Sequence, residues 1–344
     1  MKKVRIGNLY DVYIGENLLE NTGEILSQLS QKCKVAVFTD ENVDELYAQT
    51  VVKSLGKHGF SVYKYVYKGG EGSKNLSVYA DFLGFLADGG FDRYDLICAL
   101  GGGVTGDIGG FAAATYMRGI GYVQIPTTLL AAIDSSVGGK TGLDLPQGKN
   151  LLGAFYSPKA VVCDTQTLKT LPKEVFLDGM GEGVKYAILE GGELFSLLEQ
   201  GINEKNIEKF ISLCVKVKRR IVLLDEREKG LRKLLNLGHT VAHAIEKLSG
   251  YTIPHGRAVM TGLGVIAKAS CDNGYLSGSE LAKILSLLAE YDVQPLPFPM
   301  NQVVREMSFD KKKRSDYLTL IAIKGIGDCE LVDVPLVKLE EFFL

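Results

Sequence analysis

Residues 95–111 read DLICALGGGVTGDIGGF and decide the fold of the N-terminal half of the chain. The apolar run at 95–100 predicts a buried β-strand, and the small residues that follow predict a helix. Gly101, Gly103 and Gly106 lie between the two in the spacing G-x-G-x-x-G, where free N–H groups at a helix start can bind a pyrophosphate. The same spacing also fits a tight turn without a ligand, so the glycines alone leave both interpretations open.

On both sides of this turn, β-rich runs alternate with helical patterns. The predicted strands cover 35–39, 61–66, 95–100, 120–125 and 160–163, and predicted helices follow residue 42 and cover 76–87. This alternation predicts a parallel sheet in an α/β domain. From residue 172 onward, helical periodicity dominates at 173–200, 205–225, 229–248, 257–273 and 279–291, before a late β-hairpin and a short terminal helix. We expect an α/β domain at 1–170 and a mostly α-helical domain at 171–344.

Composition excludes several classes of function. A chain of 344 residues is longer than one hydrophobic core usually organises, which agrees with two domains. The formal net charge of -2 offers no basic surface, so we expect neither a nucleic acid nor a membrane as partner. No segment approaches the roughly 20 apolar residues of a membrane span, and the N-terminus lacks a signal-peptide core, so we expect a soluble cytoplasmic protein. The six cysteines are widely scattered, which favours reduced thiols over disulfides.

Three of the four histidines lie within one short stretch that includes LLNLGHTVAHAIE at 234–246. His239 and His243 are four residues apart, which places both rings on one helix face. Counting back along that face reaches Asn236 and Arg232, which form a polar stripe with the two histidines. Because apolar residues occupy most of the remaining circumference, we expect one largely buried helix. Buried imidazole and guanidinium groups need partners, and a divalent metal or an anionic ligand would supply them.

The segment DGMGEGVKYAILE at 178–190 contains a carboxylate and an amine that share a helix face, Glu182 and Lys185. A solvated surface ion pair is the simpler interpretation of this spacing and the one we favour from the sequence alone. Catalytic zinc sites, however, often use two histidines and one glutamate and leave one position open. Glu182 with His239 and His255 would make such a set, and His243 could then transfer a proton or bind an anion.

The segment IPTTLLAAIDSSVGGKTGLDLPQGKN at 125–150 combines hydroxyls, glycines and charged groups. A solvated loop is one interpretation, but the apolar run at 129–133 should draw the segment inward. Lysines held in such a place usually bind an anion.

The acidic residue that should follow a dinucleotide-binding glycine turn by about 20 residues is missing after Gly101, Gly103 and Gly106, and the nearest candidate is Asp40.

These motifs together resemble the 3-dehydroquinate synthase family. The resemblance rests on GGGVTGDIGGFAAATYMRG at 101–119, PTTLLAAIDSSVGGKTG at 126–142, GKNLLGAFYSP at 148–158, and RKLLNLGHTVAHAIE at 232–246 with HG at 255–256. It extends over nearly the whole chain. It implies an N-terminal NAD-binding α/β domain, a helical metal- and substrate-binding C-terminal domain, and an active site in the cleft between them.

The resemblance also implies an activity, two cofactors and an oligomer. The substrate would be the phosphorylated sugar acid 3-deoxy-D-arabino-heptulosonate 7-phosphate, and the products would be 3-dehydroquinate and phosphate. NAD would oxidise the substrate transiently, phosphate would leave by β-elimination, and re-reduction, ring opening and an intramolecular aldol closure would follow. A divalent metal, zinc or cobalt, would polarise the reacting oxygen. Family members form homodimers, so we expect one here.

Site residues follow from the resemblance position by position. The implied metal ligands are Glu182, His239 and His255. The implied substrate-binding and catalytic residues are Asp134, Lys140, Asn150, Lys185, Lys218, Arg232, Asn236 and His243, with Arg118 reaching a neighbouring subunit's phosphate site. The implied NAD-binding residues are Asp40, Asn42, Glu71, Lys74, Gly102, Gly103, Val104, Asp107, Thr127, Thr128, Lys149 and Thr170. A late lysine of the family corresponds to Lys311 or Lys312, and the sequence does not decide between them.

Departures from the family pattern spare every implied ligand. Many members have Glu where this chain has Arg257, which we expect to point away from the metal. Other departures occur at Gly183, Ala187, Ala242, Asp144 and Leu145. Two alternative enzymes remain, a related sugar-phosphate cyclase and a metal-dependent NAD polyol dehydrogenase. A third alternative, a non-catalytic nucleotide-binding or scaffold protein, would not need the complete Glu182, His239 and His255 set.

Overall fold

The computed structural model describes residues 1–225, 230–309 and 316–343. It divides into two compact units, Met1–Leu171 and Pro172–Leu344, close to the boundary expected near residue 170. The strands are β1 Lys2–Ile6, β2 Tyr10–Gly15, β3 Lys34–Asp40, β4 Ser61–Tyr67, β5 Leu96–Gly101, β6 Gly121–Pro126, β7 Lys140–Leu145, β8 Gly148–Phe155, β9 Ala160–Asp164, β10 Tyr317–Gly325 and β11 Asp328–Pro335. The helices are α1 Thr22–Ser27, α2 Glu41–Val43, α3 Gln49–Lys57, α4 Leu76–Asp88, α5 Gly103–Thr115, α6 Lys173–Glu190, α7 Gly192–Glu199, α8 Ile207–Leu224, α9 His239–Leu248, α10 His255–Asp272, α11 Gly278–Glu290, α12 Met300–Phe309 and α13 Leu339–Phe343.

The N-terminal unit is built on a seven-stranded sheet in the order β1-β2-β9-β6-β5-β3-β4. All pairings are parallel except the one between β1 and β2, which is antiparallel. This confirms the predicted α/β sheet, and each of the five predicted strands has its counterpart within one or two residues. Strands β1 and β2 were not anticipated, and neither was the separate hairpin β7–β8.

The sheet is covered on both faces. Alternate residues of β3 and β5 enter two different hydrophobic clusters, because successive side chains of a strand point to opposite faces. Val37 and Cys98 belong to one cluster, and Phe38 and Ile97 to the other. Buried parallel strands therefore read as continuous apolar runs, which explains why they were recognisable from the sequence.

Helix α5 packs directly against the sheet through its glycines. A Cβ atom at Gly109 would lie 2.9 Å from the Cβ of Ala99, so only hydrogen fits between this helix and β5. A Cβ atom at Gly106 would lie 2.8 Å from Oε1 of Gln124 on β6. Part of the glycine-rich motif therefore serves close helix-sheet packing, and this packing places the N-terminus of α5 at the end of β5.

The C-terminal unit is mostly helical and ends with the predicted hairpin, β10 and β11, followed by α13. The predicted helix over 173–200 breaks at Gly191, whose φ of 65° lies in the left-handed region, and becomes α6 and α7. Helix α12 was not anticipated. Within the described residues, no helix is both long and apolar enough to span a bilayer. All six cysteines are free thiols, as expected.

The prediction of a single helix over 229–248 is wrong. Leu231–Asn236 forms a 3-10 turn, Leu237 is not helical, and Gly238 adopts a left-handed conformation with φ of 77°. Helix α9 then begins at His239. Arg232 and Asn236 consequently do not share a helix face with the two histidines. The Leu-rich spacing of this segment fits a helix, but a left-handed glycine ends one turn and starts another.

Candidate active site

Helix α6 carries a buried ion pair. Glu182 and Lys185 are three residues apart, and their side chains are 1% and 2% exposed. The Lys185 Nζ contacts Oε2 of Glu182 and lies 4.7 Å from the centre of the Tyr186 ring. The interpretation as a solvated surface pair is therefore wrong, because every residue of this helix from 179 to 189 is buried. Buried charges are retained where they are paired or where they bind a ligand.

Two histidines approach the same carboxylate from the first residues of two helices. His239 begins α9 and His255 begins α10. The Nε2 atom of His239 lies 3.2 Å from Oε1 of Glu182, and the Nε2 atom of His255 lies 3.3 Å from the same oxygen. The three ligand atoms form one group within 4.8 Å. The structure thus brings together the three residues that the sequence analysis nominated as a metal site.

These separations fit a metal ion. Ligand atoms about 2.0–2.2 Å from a tetrahedral zinc ion are roughly 3.3–3.5 Å apart, close to the two distances from Glu182. Two imidazoles and one carboxylate are also the donor set of catalytic zinc sites that keep a position for water or substrate. Donor chemistry and spacing therefore both suit a divalent cation such as zinc.

The protonation states of the cluster are strongly perturbed. Burial alone would raise the pKa of the Glu182 carboxyl, but the Lys185 ammonium and His239 more than offset this and hold it well below its usual range. Desolvation would lower the pKa of His255, yet hydrogen bonds to Glu182 and Glu246 and their charges raise it to about 10. The carboxylate is therefore ionised and attracts positive charge, which a proton or a metal ion can supply.

His243 lies at the edge of this cluster. Its ring centre is 5.6 Å from that of His239 and 6.3 Å from that of His255. Desolvation, and then repulsion from His239, lower the pKa of His243, although the residue is exposed and water offsets part of this effect. His243 thus stays outside the Glu182 group and presents an imidazole to solvent beside it.

Two other predicted substrate-binding residues of the C-terminal unit are cationic and buried. Arg232 is 1% exposed in the turn before α9, and Lys218 is 7% exposed on α8. Asn236 is partly buried at the end of the same turn. With Lys185, Arg232 and Lys218 make three buried cations in one unit, and buried cations are costly unless anionic or polar groups surround them. Lys311 and Lys312 lie outside the described residues.

The N-terminal unit also contains a buried cation, Lys74, which is 5% exposed. Its Nζ lies 2.6 Å from Oδ2 of Asp107 and donates to Oδ1 of Asn150 at 2.5 Å. Desolvation would lower the pKa of Lys74, but the Asp107 carboxylate raises it above its usual value. Asp144 closes the network, since its Oδ1 accepts from the Asn150 N–H at 2.7 Å and its own N–H donates to the Lys74 carbonyl at 2.8 Å. Lys74 therefore contacts two other predicted ligand-binding residues, Asp107 and Asn150.

Asn150 departs from ordinary backbone geometry, with φ of 55°. It lies on β8, in the segment whose solvated-loop alternative the structure replaces with the hairpin β7–β8. Nearby, Lys149 Nζ lies 3.3 Å from Oε1 of Glu71. Lys140 begins β7 and is exposed, and Asp134 is partly buried in the turn before it.

The remaining predicted NAD-binding residues are at strand ends or at the start of α5. Asp40 ends β3, and its Oδ1 accepts from the N–H groups of Asn42 and Val43. Gly102 is the N-cap of α5, which Gly103 and Val104 begin, and Thr127 and Thr128 follow β6. The Thr127 N–H donates to the Gly101 carbonyl at 3.0 Å. Thr170 contacts the Tyr47 hydroxyl. Arg118 is exposed, with φ of 66°.

Arg257 is engaged elsewhere. Its Nη2 lies 2.8 Å from Oδ2 of Asp292, and its Nη1 donates to the Tyr291 carbonyl at 3.4 Å. The guanidinium therefore binds residues that follow α11, which agrees with the expectation that it does not point toward the metal ligands. The Gly183 departure has a packing reason, since a Cβ there would lie 2.5 Å from Cζ of Phe210.

Two carboxylates beside the cluster were not predicted from the sequence. Glu246, on α9, is 4% exposed, and its Oε1 lies 3.5 Å from Nδ1 of His255. Asp178, on α6, accepts from the backbone N–H groups of Gly256 and Arg257 at 2.6 and 3.2 Å and so caps α10. The spacing of Glu246 three residues after His243 was the available signal, because it places both on one side of α9.

Two protein-family models together match most of this chain. The model of the N-terminal part of 3-dehydroquinate synthase matches residues 64–178, and that of the C-terminal part matches residues 179–313. The 3-dehydroquinate synthase of Clostridium acetobutylicum is 42% identical over 332 residues, covering 94% of this chain and 92% of that protein.

Two solved structures are similar over almost their full length. A 2-deoxy-scyllo-inosose synthase complexed with carbaglucose-6-phosphate, NAD+ and Co2+ is 27% identical with a TM-score of 0.89, covering 99% of this chain and 98% of that one. A 2-epi-5-epi-valiolone synthase from Streptomyces hygroscopicus with NAD+ and Zn2+ bound is 26% identical with a TM-score of 0.86, covering 99% and 96%.

Proposed function

The chain belongs to the 3-dehydroquinate synthase family, and from this premise we propose that it converts 3-deoxy-D-arabino-heptulosonate 7-phosphate to 3-dehydroquinate and phosphate. One observation carries the proposal at the level of the site. The Nε2 atoms of His239 and His255 lie 3.2 and 3.3 Å from one oxygen of Glu182, a cluster without use in a protein that only binds a nucleotide.

Two cofactors support this chemistry. When bound, NAD supplies a reversible hydride acceptor, and a divalent metal supplies a Lewis acid that polarises the oxygen at the oxidised carbon. Glu182, His239 and His255 would hold the metal. We assign NAD binding to the N-terminal domain, through Asp40, Asn42, Glu71, Lys74, Gly102, Gly103, Val104, Asp107, Thr127, Thr128, Lys149 and Thr170.

The cations of the chain bind an acidic, phosphorylated substrate in this proposal. Lys185 keeps Glu182 ionised and can donate a hydrogen bond to a substrate oxygen. Lys218 and Arg232 are buried cations suited to a carboxylate or phosphate. Asn236 would bind a hydroxyl, and His243 would accept or donate a proton beside the metal ligands.

In the N-terminal domain, we assign substrate binding to Asp134, Lys140 and Asn150. Asn150 is held in its unusual conformation by Asp144 and Lys74, which fixes the direction of its side chain. We also propose that the protein acts in the cytoplasm as a homodimer and that Arg118, which is exposed, contributes to the phosphate site of a neighbouring subunit.

A coupled phosphate-release assay tests the proposal. Purified protein with substrate, NAD and zinc or cobalt should release phosphate and form 3-dehydroquinate without accumulation of NADH, because each hydride removed is returned. A chelator should abolish the release. Steady NADH formation would instead identify a polyol dehydrogenase, and a different cyclic product would identify a related sugar-phosphate cyclase.

A further inference from the structure

The two histidines of the cluster are each held through the ring nitrogen that faces away from Glu182. The Nδ1 atom of His239 lies 3.1 Å from the Leu237 carbonyl oxygen, while its Nε2 faces Glu182. The Nδ1 atom of His255 faces Oε1 of Glu246 at 3.5 Å, while its Nε2 faces Glu182. One histidine is therefore oriented by a backbone carbonyl, and the other by a carboxylate.

We propose that Glu246 is a positioning residue that holds His255 with Nδ1 protonated and Nε2 directed at the metal. A carboxylate that accepts from the outer nitrogen of a histidine ligand fixes its tautomer and ring orientation and makes the ligating nitrogen more basic. This inference rests on the proposed function, because it assigns a role toward the metal of that site.

The position of Glu246 fits this role. Its side chain is 6% exposed, against 33% for His255, so the carboxylate is shielded from water where it faces the ring. The Nδ1–Oε1 distance of 3.5 Å exceeds the roughly 2.9 Å of a good N–H···O bond, so the proposed role requires the two side chains to move closer together. Because Glu246 lies on α9 with His239, and His255 begins α10, this contact also links the two helices that supply the histidines.

A competing role is that Glu246 itself binds a metal ion. His243, Glu246 and His255 form a second group of possible ligand atoms within 4.8 Å. A second ion there would need Nδ1 of His255 without its proton, so that one imidazole would bridge two cations. The positioning role needs only one ion and leaves Nδ1 as a donor, and the two roles differ in stoichiometry.

The test compares Glu246→Gln with the unmodified protein, with Glu246→Asp as a second variant that keeps the charge. Glu306→Gln is the matched control, since Glu306 pairs with Lys247 on the same helix α9. Zinc affinity and stoichiometry are measured by competition with a chromophoric chelator. Nitrogen NMR of the histidine side chains in the zinc-loaded protein reports each ring separately.

We expect zinc to bind about 10- to 100-fold more weakly in Glu246→Gln, at one ion per chain, and unchanged in Glu306→Gln. Glu246→Asp should fall between Glu246→Gln and the parent. The His255 signals should shift while those of His239, held by the Leu237 carbonyl, stay in place.

The proposal is overturned by zinc affinity within twofold of the parent, by equal shifts of both histidines, or by a second zinc ion that Glu246→Gln alone loses. Should Glu246→Gln fail to fold, Glu246→Asp decides by the same measurements. Phosphate release by the parent is measured separately, so failure of the enzymatic assignment would be seen there and not in the zinc titration.

Discussion

Lys185 and Glu182 face each other one turn apart on α6, with both charges almost completely buried. The carboxylate of Glu182 is at the same time the meeting point of His239 and His255. A buried ion pair often contributes little net stability, because desolvation costs about as much as the attraction returns. Removal of one partner, by contrast, leaves a buried charge without compensation. The pair is therefore better explained by the metal site than by stability of the fold.

The first prediction concerns Lys185→Met. In the presence of a chelator, this change should lower the free energy of unfolding by about 3 kcal/mol, since it leaves the Glu182 carboxylate without its ammonium partner. With saturating zinc the loss should be at least halved, because the cation then neutralises Glu182. Denaturant unfolding with and without zinc measures both values.

Arg220→Met is the control for this prediction. Arg220 pairs with Glu190, but its side chain is 57% exposed, so loss of the pair should cost less than about 1 kcal/mol and should not depend on zinc. Equal losses in the two variants, or a Lys185→Met loss that zinc leaves unchanged, would contradict the coupling between Lys185 and the metal site.

The second prediction concerns His239→Ala. Removal of one of two imidazole ligands should leave dialysed protein with less than about 0.1 zinc per chain and lower phosphate release by at least about 100-fold. Elemental analysis and the coupled assay measure the two effects. His58→Ala is the control, because His58 lies at the end of α3 with Nδ1 2.9 Å from the Ser54 carbonyl oxygen. Full activity in metal-free His239→Ala would remove the assignment.

The third prediction concerns the pH dependence of the metal-free protein. Despite desolvation, Glu182 and Glu246 raise the pKa of His255 to about 10, against about 6.5 in an unfolded chain. The stability that this imidazolium contributes is fully present below about pH 6.5 and is lost as the pH rises toward 10. The Glu182 pKa is lowered, so its contribution is present above about pH 4.5 and is lost only as the pH falls through the folded value.

With a chelator present, the free energy of unfolding should therefore decline between about pH 6.5 and 10. His255→Gln should flatten this decline, because the titrating imidazole is gone. Urea unfolding at several pH values in this window measures the slope, and an identical slope in His255→Gln would show that another group is responsible.

Burial explains part of what the sequence predicts of this fold. Strands β3, β5 and β6 are buried on both faces and read as apolar runs, so they were recognisable. Strand β1 was missed because it is short, lies at the sheet edge and alternates exposed with buried positions. Strand β4 lies at the opposite edge and is largely exposed, but its run of Val and Tyr residues made it recognisable, whereas β2 was missed although every position in it is buried.

The site, too, could be predicted from the sequence only in part. Glu182, His239 and His255 were identified from residue type, because two histidines and one glutamate are a donor set of catalytic zinc sites. The burial of Glu182 could not be predicted, because a charged pair at i,i+3 is ordinarily exposed. The start of α9 at His239 depends on the left-handed conformation of Gly238. The spacing of the leucines does not indicate this backbone conformation.

The fourth prediction concerns Lys140→Ala. Lys140 is exposed at the start of β7 and is proposed to bind an anionic group of the substrate. Loss of one such charge-assisted contact should lower kcat/KM by about 10- to 100-fold while NAD affinity, measured by calorimetry, changes less than about twofold. Lys64→Ala is the control, since Lys64 pairs with Asp44 on the surface. Weakened NAD binding in Lys140→Ala would place this lysine in the cofactor site instead.

The last prediction joins helix packing to the metal ligands. A Cβ atom at Gly181 would lie 2.1 Å from the Gly256 carbonyl oxygen, so α6 and α10 touch through backbone at this point. Glu182 follows Gly181 and His255 precedes Gly256, which means that the closest approach of the two helices sets the distance between these two ligands. Gly181→Ala must push α10 away from α6, since the obstacle is backbone and cannot rotate aside.

We expect Gly181→Ala to lower the free energy of unfolding by about 1–3 kcal/mol and to weaken zinc binding by at least about 10-fold, because the carboxylate and the imidazole separate. Gly264→Ala, on the same helix α10, is the control, as its Cβ would meet only Cδ1 of Leu288 at an ordinary 3.5 Å. Chelator competition and denaturant unfolding measure both variants. Zinc affinity that survives in a destabilised Gly181→Ala would show that the ligand geometry does not depend on this helix contact.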